Sequence, residues 1–213
     1  MKVNVGVIDY GMGNLHSVSK ALALQGGKVF VSDRPGKLKS ANLLVLPGVG
    51  AFGAAMQNLR KKGLVQFIRN WCKADKPYLG ICLGFQLLFD RSEEDPGIEG
   101  LKILEGPVVS FKKKDFGGRR YNIPHMGWNT LSRRQSMDSL FQSIKRDSAF
   151  YFVHTFFPEP KDKTVVCTET NYGRTFCSSV AKGNLFASQF HPEKSGKVGL
   201  SLLKNVIKRA SQS

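Results

Sequence analysis

The five residues Gly80-Ile81-Cys82-Leu83-Gly84 follow an apolar run and open a helical pattern. They match the nucleophile elbow with cysteine in the serine position. A sharp strand-to-helix turn lifts such a nucleophile above the sheet edge, and flanking glycines let the backbone crowd together there. A thiol at a helix N-terminus also lies near partial positive charge, which favours the reactive thiolate. A buried structural cysteine between two incidental glycines would show the same five letters. A thiol nucleophile needs a base, and the base needs an orienter. Of the four histidines, His16, His125, His154 and His191, the last is followed by Pro192 and Glu193. Proline pushes the preceding residue toward extended geometry, where residues two apart point to the same side. Glu193 can therefore hold the imidazole of His191 while the ring faces Cys82.

Acyl chemistry also needs an oxyanion hole. The N–H of Leu83, directly after the nucleophile, is one natural donor. A second is expected from Pro47-Gly48-Val49-Gly50, where another apolar run stops. Its glycines permit an N–H to point at a ligand; a plain strand-to-helix turn is the simpler account. Gly11-Met12-Gly13-Asn14-Leu15-His16 superficially resembles a dinucleotide fingerprint, with Asp33 near the acidic position. His16 occupies the place of the third glycine, which argues against a nicotinamide or flavin site.

Those residues have to be positioned by a scaffold. Residues 3–9 read as a buried strand, 15–25 as a helix and Lys28–Ser32 as a strand. Leu43-Leu44-Val45-Leu46 is a continuous apolar run, helical patterns follow at 52–60 and 64–72, and 78–81 is the next strand, with 85–89 in the next helix. Strand alternating with helix argues for a parallel sheet covered on both faces. Beyond residue 100 the pattern changes. Residues 108–111, 150–154, 165–168 and 176–181 read as strands with little helix between them, expected to continue the same sheet antiparallel. A helix at 198–208 closes the chain. No internal repeat or linker appears, so residues 1–213 are expected to form one domain.

The chain has 213 residues, 41% hydrophobic and 23% charged, which suits one sizeable core. No apolar run approaches the roughly 18 residues that a bilayer span requires, and Asp9 interrupts what would be a signal peptide. Cys72, Cys82, Cys167 and Cys177 form no C-x-x-C pair, so they are expected to be free thiols in a reducing cytoplasm. The net charge is +16. Lys112-Lys113-Lys114, Arg119-Arg120, Arg133-Arg134 and Lys145-Arg146 crowd between residues 112 and 146. Such a surface is either an ordinary solvated face or one that attracts an acidic partner. No nucleic-acid motif accompanies it, and aromatics do not interleave with the basic run.

Taken together, Pro47-Gly48-Val49-Gly50, Gly80-Ile81-Cys82-Leu83-Gly84-Phe85-Gln86 and Phe190-His191-Pro192-Glu193 resemble the class I (triad) glutamine amidotransferases. Ile8-Asp9-Tyr10-Gly11-Met12-Gly13-Asn14-Leu15, Ser92-Glu93-Glu94, Pro124-His125-Met126-Gly127-Trp128-Asn129 and Gln189 to Gly196 are similar to segments of glutaminase subunits of imidazole glycerol phosphate synthase, a family of histidine biosynthesis. The resemblance runs from about residue 3 to residue 208. It implies a three-layer α/β fold, with a mostly parallel central sheet flanked by helices and added antiparallel strands. It implies that Cys82, His191 and Glu193 form a triad that hydrolyses glutamine to glutamate and ammonia. Leu83, Val49 and Gly50 would bind the oxyanion, and Gly48, Gln86, Glu94, Thr155 and Phe156 the glutamine. Met126, Trp128, Tyr151 and Lys194 would face a cyclase (synthase) partner in a heterodimer. That partner would take the ammonia to form imidazole glycerol phosphate and aminoimidazole carboxamide ribotide. No metal or organic cofactor is implied, nor any nucleic acid or membrane, and the location would be cytoplasmic. Core packing is the alternative role for Trp128. Two departures from the family pattern stand out: Phe156-Phe157 where many relatives have tyrosines, which would keep backbone contacts to glutamine but lose hydroxyl contacts, and Phe85 where methionine is common, which would change packing only. A related subunit serving another acceptor, such as a surface sugar, and a catalytically silent binding subunit are the alternatives.

Overall fold

The computed structural model describes residues 2–112, 122–133 and 139–212. Lys113, Lys114, Arg119, Arg120 and Arg134 of the basic stretch lie outside the described residues.

Thirteen strands are described: β1 (Asn4–Ile8), β2 (Lys28–Ser32), β3 (Leu43–Gly48), β4 (Tyr78–Cys82), β5 (Arg91–Ser92), β6 (Pro107–Ser110), β7 (His125–Thr130), β8 (Ser132–Arg133), β9 (Ala149–His154), β10 (Phe156–Pro158), β11 (Val166–Tyr172), β12 (Arg174–Lys182) and β13 (Leu185–Ser188). The helices are α1 (Leu15–Leu24), α2 (Pro35–Leu38), α3 (Phe52–Lys61), α4 (Leu64–Lys73), α5 (Leu83–Gln86) and α6 (Gly196–Ala210). The main sheet has the order β2-β1-β3-β4-β13-β12-β11-β8. Its first five strands are parallel and the rest antiparallel.

The continuous apolar runs follow from burial on both faces. Alternate residues of β3 point to opposite sides of the sheet. Leu43 and Val45 enter one core cluster with Val18 and Leu22 of α1 and Leu202, Leu203 and Val206 of α6. Leu44 and Leu46 enter another with Phe52, Met56 and Leu59 of α3 and Ile68 and Trp71 of α4. Helices therefore cover both faces, the three-layer arrangement that the alternating pattern predicts.

The second half departs from expectation. β11, β12 and β13 do continue the main sheet, but residues 108–111 and 150–154 do not join it. β6 pairs with β10 and β5 in a separate three-stranded sheet, and β9 pairs with β7 in a two-stranded ribbon. The cause is aromatic packing on one side of β9. Phe150, Phe152 and His154 are buried in turn, against an aromatic cluster that includes Phe176 and Phe190. The strand expected at 165–168 begins at Val166 and extends to Tyr172. The helix expected at 85–89 starts at Leu83 and ends at Gln86. It stops because the carbonyls of Leu87, Leu88 and Phe89 accept hydrogen bonds from residues 101–104.

Gly84 shows how tightly this region is assembled. A Cβ there would collide with the Leu46 carbonyl oxygen, a backbone atom of β3 that cannot move aside. Gly84→Ala should therefore destabilise the protein by about 3 kcal/mol or more, the upper range for overpacking. Urea unfolding would read this as a lower midpoint at unchanged slope, and a midpoint matching the parent's would contradict the packing described.

Candidate active site

β3, β4 and β13 are adjacent and parallel, so their C-terminal ends deliver three loops to one edge. Gly48 is in register with Cys82, and Ser188 with Ile81. Cys82 has φ 55° and ψ −108°, a left-handed conformation for a residue with a side chain. Such a backbone costs on the order of 1–3 kcal/mol and persists only where its surroundings over-determine it. It is the sharp turn that an elbow requires.

Beyond β13 the chain passes through Gln189 and Phe190 to His191. His191 is extended (φ −102°, ψ 93°), as the following proline predicts, but Pro192–Lys194 then closes into a 3-10 turn and does not stay extended. The turn still brings Glu193 Oε1 to 2.8 Å from His191 Nδ1. Nδ1–H donates to the carboxylate, which leaves Nε2 as the nitrogen for the thiol. Both side chains are almost wholly buried. Nε2 makes no hydrogen bond of good geometry in the resting site, a common condition for catalytic contacts before substrate binds. Burial opposes charge on this imidazole. Cys82 and Glu193 outweigh it and push the pKa up to about 10.

In front of the thiol lies a cleft of about 450 Å³. Val49, Gly50, Cys82 and Leu83 line it on the nucleophile side, and Gln86, Glu94, Thr155 and Phe156 line the remainder. Of the residues expected to bind glutamine or its oxyanion, Gly48 alone is absent from the lining. It lies beneath, where a Cβ would meet the Tyr10 hydroxyl and Leu83. Gly50 has φ +106°, a value that leaves its peptide planes orientations closed to other residues. Glu94 commits Oε2 to the Phe52 N–H at 2.9 Å, at the start of α3. Burial raises the Glu94 pKa. Phe156 holds its place by backbone: its carbonyl accepts from Gln86 Nε2 at 2.8 Å and from His154 Nδ1 at 2.9 Å. The Phe157 ring is buried against Phe111 and Arg174, and the Phe85 ring against Phe89, so of the residues that depart from the common pattern only Phe156 lines the cleft.

Met126 and Trp128 are 61% and 58% exposed, which removes the core-packing role for Trp128. Trp128 lies opposite Tyr151 across the β7–β9 ribbon, and Lys194 Nζ stands 5.9 Å from the Tyr151 ring. The four residues expected at a partner surface thus cluster on and beside one ribbon. The glycine-rich loop 11–14 that resembles a nucleotide fingerprint serves otherwise. Gly13 packs on Pro47 and Gly48, and Asn14 caps α1 through the Ser17 N–H.

Several neighbours of the thiol received no role from the sequence: the Val153 carbonyl at 3.9 Å from Sγ, the Gln189 amide at 3.6 Å, and Tyr10 and His154 nearby. Gln189 had one available signal, since it stands two residues before His191, the period that shares a side in extended chain. The other cysteines are unsuited to nucleophilic work. Burial pushes the Cys72 thiol up to about 12, and Cys177 is raised as well. Among the described residues no cysteine is joined in a disulfide. No cluster there could hold a metal ion, and no helix is long and apolar enough to cross a membrane.

An α/β sheet that carries a strained cysteine before a buried His–Glu pair and an oxyanion-type loop defines a cysteine-dependent amide-cleaving enzyme. The profile of the family "Glutamine amidotransferase class-I" matches residues 6–210. The HisH subunit of imidazole glycerol phosphate synthase from Halalkalibacterium halodurans is 45% identical over 201 residues, 94% of each chain. The HisH subunit from Bacillus subtilis is 44% identical over 209 residues, covering 98% of this chain and 97% of the relative. A crystal structure titled as a glutamine amidotransferase superposes with a TM-score of 0.74 at 20% identity, covering 97% of this chain and 98% of that one. A glutamine amidotransferase from Thermotoga maritima gives 0.72 at 17%, covering both chains fully. The chain belongs to the class I glutamine amidotransferases, in the branch formed by the HisH subunits of imidazole glycerol phosphate synthase.

The buried imidazoles make opposite contributions to stability. Burial holds His125 down to about 4 and His154 to about 3. Both are neutral in the fold, while the unfolded chain protonates them near 6.5. Stability they support above pH 6.5 is therefore lost as pH falls toward their folded values, by up to about 1.4 kcal/mol per pH unit for each. His191 is raised, so its contribution is complete below pH 6.5 and is lost as pH rises through about 10. Proton NMR of the histidine rings should show His125 and His154 unprotonated at pH 5.5 and His191 still protonated at pH 8. Ordinary titration of all three near 6.5 would contradict this assignment.

Proposed function

We propose that this chain is the glutaminase subunit of an imidazole glycerol phosphate synthase, with Cys82, His191 and Glu193 as its catalytic triad. The observation that carries it is the cleft itself, in which the sulfur, the Leu83 and Val49–Gly50 backbone and Gln86 surround one space large enough for an amino acid. The Cys82 thiolate attacks the side-chain amide carbon of glutamine. The carbonyl oxygen becomes an oxyanion, held by the N–H of Leu83 and an N–H of the 48–50 loop. His191, protonated at Nε2, gives its proton to the departing nitrogen, which leaves as ammonia, and a glutamyl thioester remains on Cys82.

The pKa of His191 then serves the second half. Cys82 is the strongest of the influences that raise it. Once the sulfur is acylated that charge is gone, and burial draws the imidazole back toward the neutral form. Neutral Nε2 takes a proton from water, the water oxygen attacks the thioester carbon, and the C–S bond breaks to release glutamate. The proton ends on His191 and the thiolate is restored.

Ammonia released here is of use only if an acceptor site receives it. The exposed Met126–Trp128–Tyr151–Lys194 patch suits a docking surface for a cyclase subunit: an exposed aromatic and an exposed methionine of this kind are enriched at interface centres. The same ribbon supplies Val153 and His154 to the cleft wall, so the docked subunit would sit directly over the nucleophile. The two-part test uses the assembled complex. Cys82→Ala should abolish synthesis from glutamine yet leave synthesis from added ammonium salt intact, because the acceptor site lies on the other subunit. Trp128→Ala should leave the chain folded and weaken association by tenfold or more, the range for an interface anchor. Glutamine turnover by Cys82→Ala would overturn the triad, and unchanged association of Trp128→Ala would overturn the surface.

A further inference from the structure

We infer that Gln189 is a further catalytic residue, donating a hydrogen bond from its side-chain amide to the Cys82 sulfur, and that a relay of amides and imidazoles under the β7–β9 ribbon fixes that amide the right way round. The inference rests on Cys82 being the nucleophile.

Gln189 is fully buried, its backbone N–H is tied to the Ser178 carbonyl at 2.8 Å, and its Nε2 stands 3.6 Å from Sγ. A carboxamide presents nitrogen or oxygen according to its neighbours, and here the neighbours decide. The Phe156 carbonyl can only accept, so the Gln86 atom 2.8 Å from it is the nitrogen. That same nitrogen lies 3.1 Å from the other end of the Gln189 amide, which must then be oxygen. Gln189 therefore turns its N–H toward the sulfur.

The second donor to Phe156 extends the same polarity outward. His154 Nδ1–H donates to this carbonyl at 2.9 Å, so its Nε2 accepts. His125 Nδ1–H must be the donor to it at 3.0 Å, and His125 Nε2 accepts in turn from Asn129 Nδ2 at 3.4 Å. Asn129 is anchored by a second carbonyl, that of Asn171, at 2.9 Å. The relay is bounded by acceptor-only backbone oxygens at both ends, and each tautomer and amide orientation in between satisfies its neighbours. Burial keeps both imidazoles neutral, as this pattern requires.

The sulfur's other neighbours show why this donor matters. The Val153 carbonyl at 3.9 Å is acceptor-only and favours the thiol. The charged and titratable groups around the sulfur are His191 with Glu193 behind it, and Tyr10 and His154, both kept neutral by burial. Gln189 is thus the neutral group that favours the thiolate in the resting enzyme, when His191 Nε2 is not yet aligned.

The test measures the pH dependence of Cys82 alkylation by iodoacetamide in the purified protein with its cyclase partner, located by peptide mass spectrometry. Gln189→Met keeps the length and removes the donor. Gln189→Glu keeps the shape and brings an acceptor. The midpoint of alkylation should rise by about one pH unit or more in Gln189→Met and further in Gln189→Glu. Glutamine kcat should fall by at least tenfold with KM changed little. Since a buried variant can misfold, the unmutated protein supplies an independent reading. One Gln189 side-chain N–H resonance should move with the same midpoint as thiolate formation, and should stop moving once Cys82 is alkylated. An unchanged midpoint and kcat in folded Gln189→Met, or a Gln189 resonance indifferent to the sulfur, overturns the inference while leaving the triad standing. Full activity in Cys82→Ala would instead remove the nucleophile on which it rests.

Discussion

Everything at this site depends on one strained residue. Cys82 is held in a left-handed conformation at the end of β4, between two parallel neighbours whose registers are set by eight buried apolar residues of β3 and β4. The turn survives because its surroundings leave no alternative. Gly84 packs directly against the Leu46 carbonyl, Gly48 packs beneath Leu83 and the Tyr10 hydroxyl, and β13 closes the other side. Parallel pairing has a direct functional consequence. It sends the chain after β3, β4 and β13 to the same edge, so the loop 48–50, the thiol and the segment Gln189–Glu193 meet although up to 145 residues separate them. Side chains so placed are preorganised, and the resting protein already bears the cost of that geometry in its core.

The β7–β9 ribbon joins this centre to the surface. Its outward side chains are Met126 and Trp128; its inward ones include His125, Phe152 and His154. The Tyr151 carbonyl accepts the His191 N–H at 2.9 Å, and the Tyr151 N–H donates to Ser195 Oγ at 3.0 Å. A shift of the ribbon therefore changes the backbone next to His191 and the wall next to Cys82 together. The histidine pair within it is neutral and hydrogen-bonded throughout, with His125 stacked on Tyr172 and Phe152. Buried polar groups that are fully satisfied in this way specify a unique arrangement, and half-satisfied ones would not.

Residues that act through a local rule were legible in the sequence. The elbow glycines, the extended His191 before proline and the apolar runs of β1, β3 and β4 each follow from sterics or period within a few residues. The parallel, doubly covered half of the fold followed from them. Legibility failed where distant contacts decide. The helix after the elbow stops at Gln86 because residues 101–104 claim its carbonyls, and nothing in 83–89 says so. β9 leaves the main sheet to bury Phe150, Phe152 and His154 against rings contributed by distant segments, Phe176 and Phe190 among them. The Gln189–Cys82 and His125–His154 contacts span 107 and 29 residues, and no local rule names such partners. The resemblance to a family supplied the residues expected to bind glutamine and to face a partner; all of the first group but Gly48 line one cleft, and the second group lies on and beside one ribbon.

The central claim is that the strained thiol, alone among four cysteines, faces bound glutamine. Labelling the complex with an electrophilic chloroketone analogue of glutamine tests it most directly, with the adduct located by peptide mass spectrometry. The account predicts one adduct, on Cys82, with glutamine protecting against it. Labelling of Cys72, Cys167 or Cys177 at a comparable rate, or labelling of Cys82 that glutamine fails to slow, would contradict it.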